Sequence, residues 1–282
     1  VYKRQGDTVG AGAVNIGNVN TLDVNLTGDV YKHGAAVYTV KSDAHIDLTE
    51  GGGDIEFTLA DASLEFATGT VHLENGSNLV VNTGNAAITA KGIIGTSYEN
   101  VTLTTTGTTT VGTGGIGTGT TIEDVSLDGT SIVLKGNITT AGTGSDPAGV
   151  GDIDFDGAVT IDGAITITSD VTGTANDGKI DFATNTINAE GNDTDSLTLL
   201  SGSGVITVGT IGVTTPLDAL SINASGSAAS ALTIKQIGTF AGAAGVNGTT
   251  TIGNASTASV DLNAGEFNFG GAATITAAGD IT

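Results

Sequence analysis

Ile116-Gly117-Thr118-Gly119-Thr120-Thr121-Ile122-Glu123-Asp124-Val125-Ser126-Leu127 reads as a glycine-marked corner followed by a strand whose apolar residues alternate with polar ones. The phrase returns in altered form three times: at 16–26, where Leu22, Val24 and Leu26 alternate; at 94–103, ending in Val101 and Leu103; and at 211–222, with Leu217, Leu220 and Ile222. A second phrase, Gly151-Asp152-Ile153-Asp154-Phe155, has companions in Gly53-Asp54-Ile55-Glu56-Phe57, Gly178-Lys179-Ile180-Asp181-Phe182 and Gly265-Glu266-Phe267-Asn268-Phe269. Gly279-Asp280-Ile281-Thr282 reads as the start of another. Such self-similarity identifies an array in which one small unit is stacked many times.

The local pattern has a period of two. In Val159-Thr160-Ile161 and Ala164-Ile165-Thr166-Ile167-Thr168 apolar and polar residues take turns, as they do at Ile55/Phe57/Leu59, Val71/Leu73, Leu79/Val81 and Leu232/Ile234. The strands are short and are separated by Gly, Asn, Asp, Ser and Thr, residues suited to tight turns. No window carries a capped helical stripe, so no helical domain is expected. A sandwich or a propeller also absorbs many short strands, but returning phrases favour a solenoid. Ile94 to Ile116 is 22 residues, the length of one coil of a three-sided parallel β-helix. Coils of roughly 20–23 residues stacked about 4.8 Å apart predict roughly 12–14 coils over about 60 Å. The expected fold is therefore all-β, a right-handed parallel β-helix. The stretches 140–149 and 241–248 are expected to loop out from a corner.

Composition fits a narrow core. Glycine accounts for 45 of 282 residues, aromatic residues for 4% and charged residues for 13%, with no Cys, Met or Trp. A globular enzyme of this length carries more aromatic bulk, yet 38% hydrophobic residues are too many for a disordered linker. Thirty acidic residues against eight basic ones give a net charge of −22, which disfavours nucleic acid and anionic membrane surfaces as partners. The absence of Cys excludes disulfides and thiolate chemistry. No run of about 18 apolar residues occurs, so no membrane-spanning helix is expected in this stretch. Val1-Tyr2-Lys3-Arg4-Gln5 is out of character with the rest of the chain and reads as a translated sequencing adapter. Residues 1–5 are therefore set aside as a non-native leader, and 6–282 are expected to form one continuous solenoid region cut at both ends.

The combination of Ile211-Gly212-Val213-Thr214-Thr215-Pro216-Leu217, Gly151-Asp152-Ile153-Asp154-Phe155 and Gly163-Ala164-Ile165-Thr166-Ile167 resembles the repeats of very large bacterial surface adhesins of the filamentous-haemagglutinin type. The resemblance covers 6–282. It implies a right-handed β-helix, an extracellular or cell-surface location, an outer-membrane secretion partner, and a role as an adhesive shaft that meets glycans or surface proteins of other cells.

Candidate sites are few. Asp152, Asp154 and Asp156, followed by Gly157, match the first half of a calcium-binding loop, but Gly163 stands where that loop places its bidentate Glu. Two readings stand side by side: a calcium site at these three carboxylates, and a strand whose acids face outward in a row while Ile153 and Phe155 face in. Asn192-Asp193-Thr194-Asp195 is a second acidic turn. Gly112, Gly114 and Gly117 spell a dinucleotide fingerprint with no helix to follow, and Gly173 to Lys179 imitate a phosphate loop with Ile180 where the Ser or Thr belongs. His33, His45 and His72, the only histidines, lie near no nucleophile motif and read as exposed strand or turn residues. The threonines of 102–110 read as strand formers on a solvated face. The sequons at Asn25, Asn100, Asn137 and Asn247 are expected from composition alone. No cofactor other than calcium is suggested and no enzyme activity is expected. The expected function is a structural or adhesive stalk; the alternatives are a β-helical carbohydrate-active enzyme or phage tail-spike segment, and a calcium-binding S-layer or matrix protein.

Overall fold

The computed structural model describes residues 14–16, 23–26, 30–33, 37–41, 43–47, 53–119, 122–141, 151–169, 177–191, 194–223, 230–239, 241–263 and 265–282, with the backbone alone at 14, 23, 25, 30–33, 43–47 and 67. All regular structure among these residues is strand, and the strand pairings described are parallel. The chain divides into two compact units, Val1–Thr139 and Thr140–Thr282. Each is a β-solenoid.

In the first unit the ribbon visits three ladders in turn. One runs Val14, Tyr38, Leu64, Ile88, Thr109, Ile132. The next runs Val24, Ala44, Val71, Ile93, Ile116, Ile138. The third runs Tyr31, Phe57, Val81, Leu103, Leu127. The second unit repeats the plan with Ile153, Ile180, Ile206, Leu232, Val260 and Ile281, with Val159, Ile187, Ile211, Ile237 and Phe267, and with Ile165, Leu197, Leu220, Thr250 and Ala273. Among the described residues each ladder thus has five or six rungs per unit, which makes four to five complete turns in each and falls short of the 12–14 coils expected for the chain. The reason lies in the corners. Val159 to Ile187 takes 28 residues and Ile237 to Phe267 takes 30, well above the 20–23 assumed from the shortest repeat spacing.

Alternation explains the burial. Along Gly53–Leu59, Ile55 and Phe57 are fully buried while Glu56 and Thr58 are exposed, and in Ser196–Leu200 only Leu197 and Leu199 face in. Because the ladders are in register, like residues stack on like: Phe155 lies flat on Phe182, ring centroids 4.3 Å apart and planes 2° from parallel. Phe57 sits edge-on between Tyr38 and Phe66, each at 5.8 Å. Two buried threonines, Thr109 and Thr250, interrupt these ladders. The Thr250 hydroxyl lies in the ladder between Leu220 and Ala273, buried and without a hydrogen-bond partner.

The phrases that start at Ile116 and Ile211 mark corners, as their glycines require. Gly117 has φ +67° and Gly212 φ +66°. At each the neighbouring turn also crowds in: a Cβ would stand 2.0 Å from the Thr139 carbonyl oxygen and 2.1 Å from that of Gly245. Both the torsion and the contact demand a residue without a side chain. The second phrase is less uniform than its sequence. Ile153 and Ile180 stack, and Ile281 joins the same ladder above Val260. Gly265 to Phe269 instead falls elsewhere, with Phe267 on Ile237 and Phe269 on Val246. Of the expected loop at 241–248, only 241–244 bulges, since Gly245 donates to the Asn268 carbonyl and Val246 bridges Leu217 and Phe269. Of the loop expected at 140–149, Thr140 is buried and 142–149 lie outside the described residues, as do residues 1–13 and Leu22.

Both kinds of site bear on stability. Gly212→Ala, which sets a Cβ against a backbone carbonyl at positive φ, is expected to destabilise the second unit by about 1–3 kcal/mol in denaturant titrations. Thr250→Val removes an unsatisfied buried hydroxyl while keeping the shape, and is expected to raise the melting temperature, because such a group costs about 1–3 kcal/mol.

Candidate functional site

The strand Ile153–Ile161 opens on the acidic row. Ile153 and Phe155 are buried, and the alternation sends Asp152, Asp154 and Asp156 outward. An extended backbone spreads these carboxylates along a line and does not fold them around a point. The turn above answers the row with a cation. Lys179 Nζ lies 2.7 Å from Asp154 Oδ1 and 3.9 Å from Asp181 Oδ2, and the Lys179 backbone N–H donates to Asp152 Oδ1 at 2.9 Å. The hydrogen bond to Asp154 is the main reason the lysine pKa is raised; partial burial opposes it, and attraction to Asp154, Asp152 and Asp181 adds to it. Asp156 is exposed at the far end of the row. Among residues whose side chains are described, no group of three carboxylates or imidazoles stands close enough to hold a metal ion.

Polar side chains, most of them not singled out by the sequence, close the corners. Glu99, in the phrase that starts at Ile94, is fully buried. Its Oε2 accepts the N–H of Thr96 at 2.8 Å and of Ser97 at 2.9 Å, and its Oε1 accepts from Ser97 at 2.9 Å, Gly76 at 3.2 Å and the Thr96 hydroxyl at 3.2 Å. One carboxylate therefore serves the amides of its own corner and one from the turn before. Asp195 does the same for Gly163, at 2.7 Å, and Gly191, at 3.2 Å, so the second acidic turn, as far as it is described, is a cap; Asn192 and Asp193 lie outside the described residues. Buried hydroxyls of Thr140, Ser169 and Ser201 donate to the carbonyls of Gly151, Gly178 and Gly204 at successive turns. These three hydroxyls precede their Gly by 11, 9 and 3 residues, a spacing too variable to read as a motif.

Other motifs resolve in the same way. Asn78 Nδ2 donates to Asp54 Oδ1 at 3.0 Å, the Asn100 N–H to Asn78 Oδ1 at 2.9 Å and the Asp124 N–H to Asn100 Oδ1 at 3.0 Å, so the sequon residue Asn100 is one link of an axial polar lane. Gly112 and Gly114 lie in the strand Thr108–Ile116 against Lys91 and Gly92 of the preceding turn, and no helix follows Gly117. Within the threonine run, Thr105 and Thr109 turn inward, contrary to a purely solvated face. Thr105 donates to the Ala86 carbonyl at 2.6 Å and Thr109 to that of Asp128 at 3.2 Å, because both continue the inward phase of Val101, Leu103 and Val111. Gly173 to Asn176 of the phosphate-loop imitation are outside the described residues. Compared with protein-family models, with curated proteins and with solved structures, the chain matches none.

Glu99→Gln puts an amide NH₂ against amide donors and is expected to destabilise the first unit by about 1–3 kcal/mol, read from denaturant midpoints. For Lys179 the raised pKa fixes the sign. Its contribution is full below the unfolded lysine value of about 10.4 and is lost as pH rises through the higher folded value. With the two side chains 41% and 43% exposed, the pair contributes little, about 0–1 kcal/mol. Lys179→Met is thus expected to lower the melting temperature slightly near neutral pH, the difference from wild type vanishing above the lysine range.

Proposed function

We propose that this chain is a non-enzymatic length of shaft from a large extracellular bacterial surface protein, which an outer-membrane secretion partner exports and which serves attachment to other cells or to a substratum through glycans or surface proteins. The observation that supports this reading is the use made of the polar side chains. Glu99, Asp195, Thr140, Ser169 and Ser201 are engaged in closing corners, and Asp54, Asn78 and Asn100 in tying one turn to the next. A ribbon of this kind gains its stability from nearest-neighbour stacking, so it can be lengthened by adding turns without redesigning a core. The likeness of its phrases to adhesin repeats supplies the biological setting, and the strongly acidic surface suits a partner that is neither nucleic acid nor an anionic membrane.

The test compares cells that display the parent protein with and without this segment, together with the purified chain in solution. Attachment is expected to fall when the segment is deleted. Polysaccharides incubated with the chain are expected to release no new reducing ends, and the melting temperature is expected to be the same in calcium and in chelator. Release of reducing ends would favour the carbohydrate-active or tail-spike reading. A calcium-dependent rise in melting temperature, lost on Asp154→Asn, would favour the S-layer or matrix reading, since a ligand that binds only the folded state must stabilise it.

A further inference from the structure

Lys41, Lys91 and Lys135 are three of only eight basic residues in the chain, and they lie 50 and 44 residues apart along it. Each directly follows an inward residue of one ladder. Val40, Phe66, Ala90, Val111 and Leu134 are buried there on successive turns of the first unit. At the next position a lysine stands on every second turn, and all three lysines are exposed. Ala67 and Gly112 hold that position on the turns between. Turns stack about 4.8 Å apart, so the lysines recur about every 9.6 Å. Gly112 leaves bare backbone beside Lys91, since a Cβ there would stand 2.7 Å from the Lys91 Cα. Lys91 Nζ reaches back to the Thr68 carbonyl at 3.1 Å. The neighbouring outward lane is Thr39, Glu65, Thr89, Thr110 and Val133. Its one acid, Glu65, accepts the Thr39 hydroxyl at 3.3 Å. A basic stripe therefore crosses the first unit of a chain whose net charge is −22.

We propose that the Lys41–Lys91–Lys135 stripe is a docking lane for an extended acidic polysaccharide that bears a carboxylate on every second sugar. The spacing selects the ligand. Two sugars of an extended chain span a length comparable to two turns of the solenoid, so successive carboxylates meet successive lysines with neither chain bending. Nucleic acid, with one charge per about 1.7 Å of duplex, calls for a far denser basic footprint. The acids elsewhere on the chain do not cancel the stripe, because exposed charges more than about 8 Å away are largely screened at physiological ionic strength. Thr89 and Thr110, on the lane beside the lysines, offer hydroxyls to the sugar ring. An exposed ion pair is weak alone. Three at a fixed spacing act together, and repetition of the ligand multiplies the effect. This proposal rests on the reading of the chain as an attachment shaft and narrows its glycan to a carboxylated one.

The test titrates the purified full chain onto immobilised hyaluronan, an unsulfated polysaccharide with a carboxylate on alternate sugars, beside neutral dextran and duplex DNA. The expected result is saturable binding to hyaluronan that weakens as salt rises, with none to dextran and far less to DNA. Lys91→Gln is expected to weaken binding about threefold, and the triple change Lys41→Gln, Lys91→Gln, Lys135→Gln roughly tenfold or more. Lys91→Arg, which keeps the charge, and Lys235→Gln, in the other unit, are expected to leave it unchanged. Melting temperatures equal to wild type separate loss of the stripe from loss of fold. Failure of the wild-type chain to bind hyaluronan would overturn the proposal, as would binding that the triple variant retains, or equal binding to dextran or DNA. Cell attachment keeps the two readings apart. Hyaluronan binding through the lysines, with attachment unchanged when the segment is deleted, would sink the shaft reading alone. Attachment lost on deletion, with no hyaluronan binding by the purified chain, would sink this proposal alone.

Discussion

Everything in this molecule depends on one demand: each backbone N–H and C=O of a turn must meet a partner on the turn beside it. Parallel strands ordinarily need a long crossover, usually a helix, to return the chain to the same edge. Here the remainder of the turn is the crossover, so three ladders are built at once and each makes the others possible. Register is a direct consequence. Once Leu220 is placed beside Leu197, the alternation carries Ile222 to Leu199 along the same strand, and a slip of one residue would turn a whole apolar lane outward. A chain with so little aromatic bulk can hold its shape because the core asks only for medium-sized side chains that repeat.

The ladder fails at corners, and the corners explain most of the polar chemistry. Where the ribbon bends, its amides lose their neighbours, and leaving them unpaired in the interior would cost more than any single contact returns. Glu99 and Asp195 supply acceptors there, and the hydroxyls of Thr140, Ser169 and Ser201 supply donors for the carbonyls. Glycine at Gly117 and Gly212 meets the other corner requirement, close passage of one turn over another. A buried carboxylate that would pass for a catalytic group by burial alone is thus accounted for by five hydrogen-bond contacts to a corner. The acidic row at Asp152, Asp154 and Asp156 belongs to the ladder itself, and its nearest cation is Lys179 from the next turn.

What could be read in the chain beforehand was the strand, face by face. Ile55 and Phe57, Leu197 and Leu199, and Ile153 and Phe155 were placed inward by alternation alone and are buried. The number of turns was not legible, because spacing measures a coil only when corners are of constant length, and the second unit's turns vary. The phrase at Gly265 misled for a related reason: a short motif fixes which side chains face in, but not which ladder they join. Thr105 and Thr109 were misplaced because the run was read by its composition as one solvated face, although both keep the inward phase of Val101, Leu103 and Val111.

By itself, the sequence determined that this protein winds into a parallel ribbon, since period-two burial, glycine corners and returning phrases are local properties that any stretch of chain carries within itself. Only the tertiary structure decided which residues stand side by side. His45 and His72, Asp154 and Lys179, and Glu99 and Gly76 are each 23 or more residues apart along the chain, yet they are neighbours across one rung. Such neighbours are set by the sum of corner lengths around a turn, a quantity that no single segment encodes.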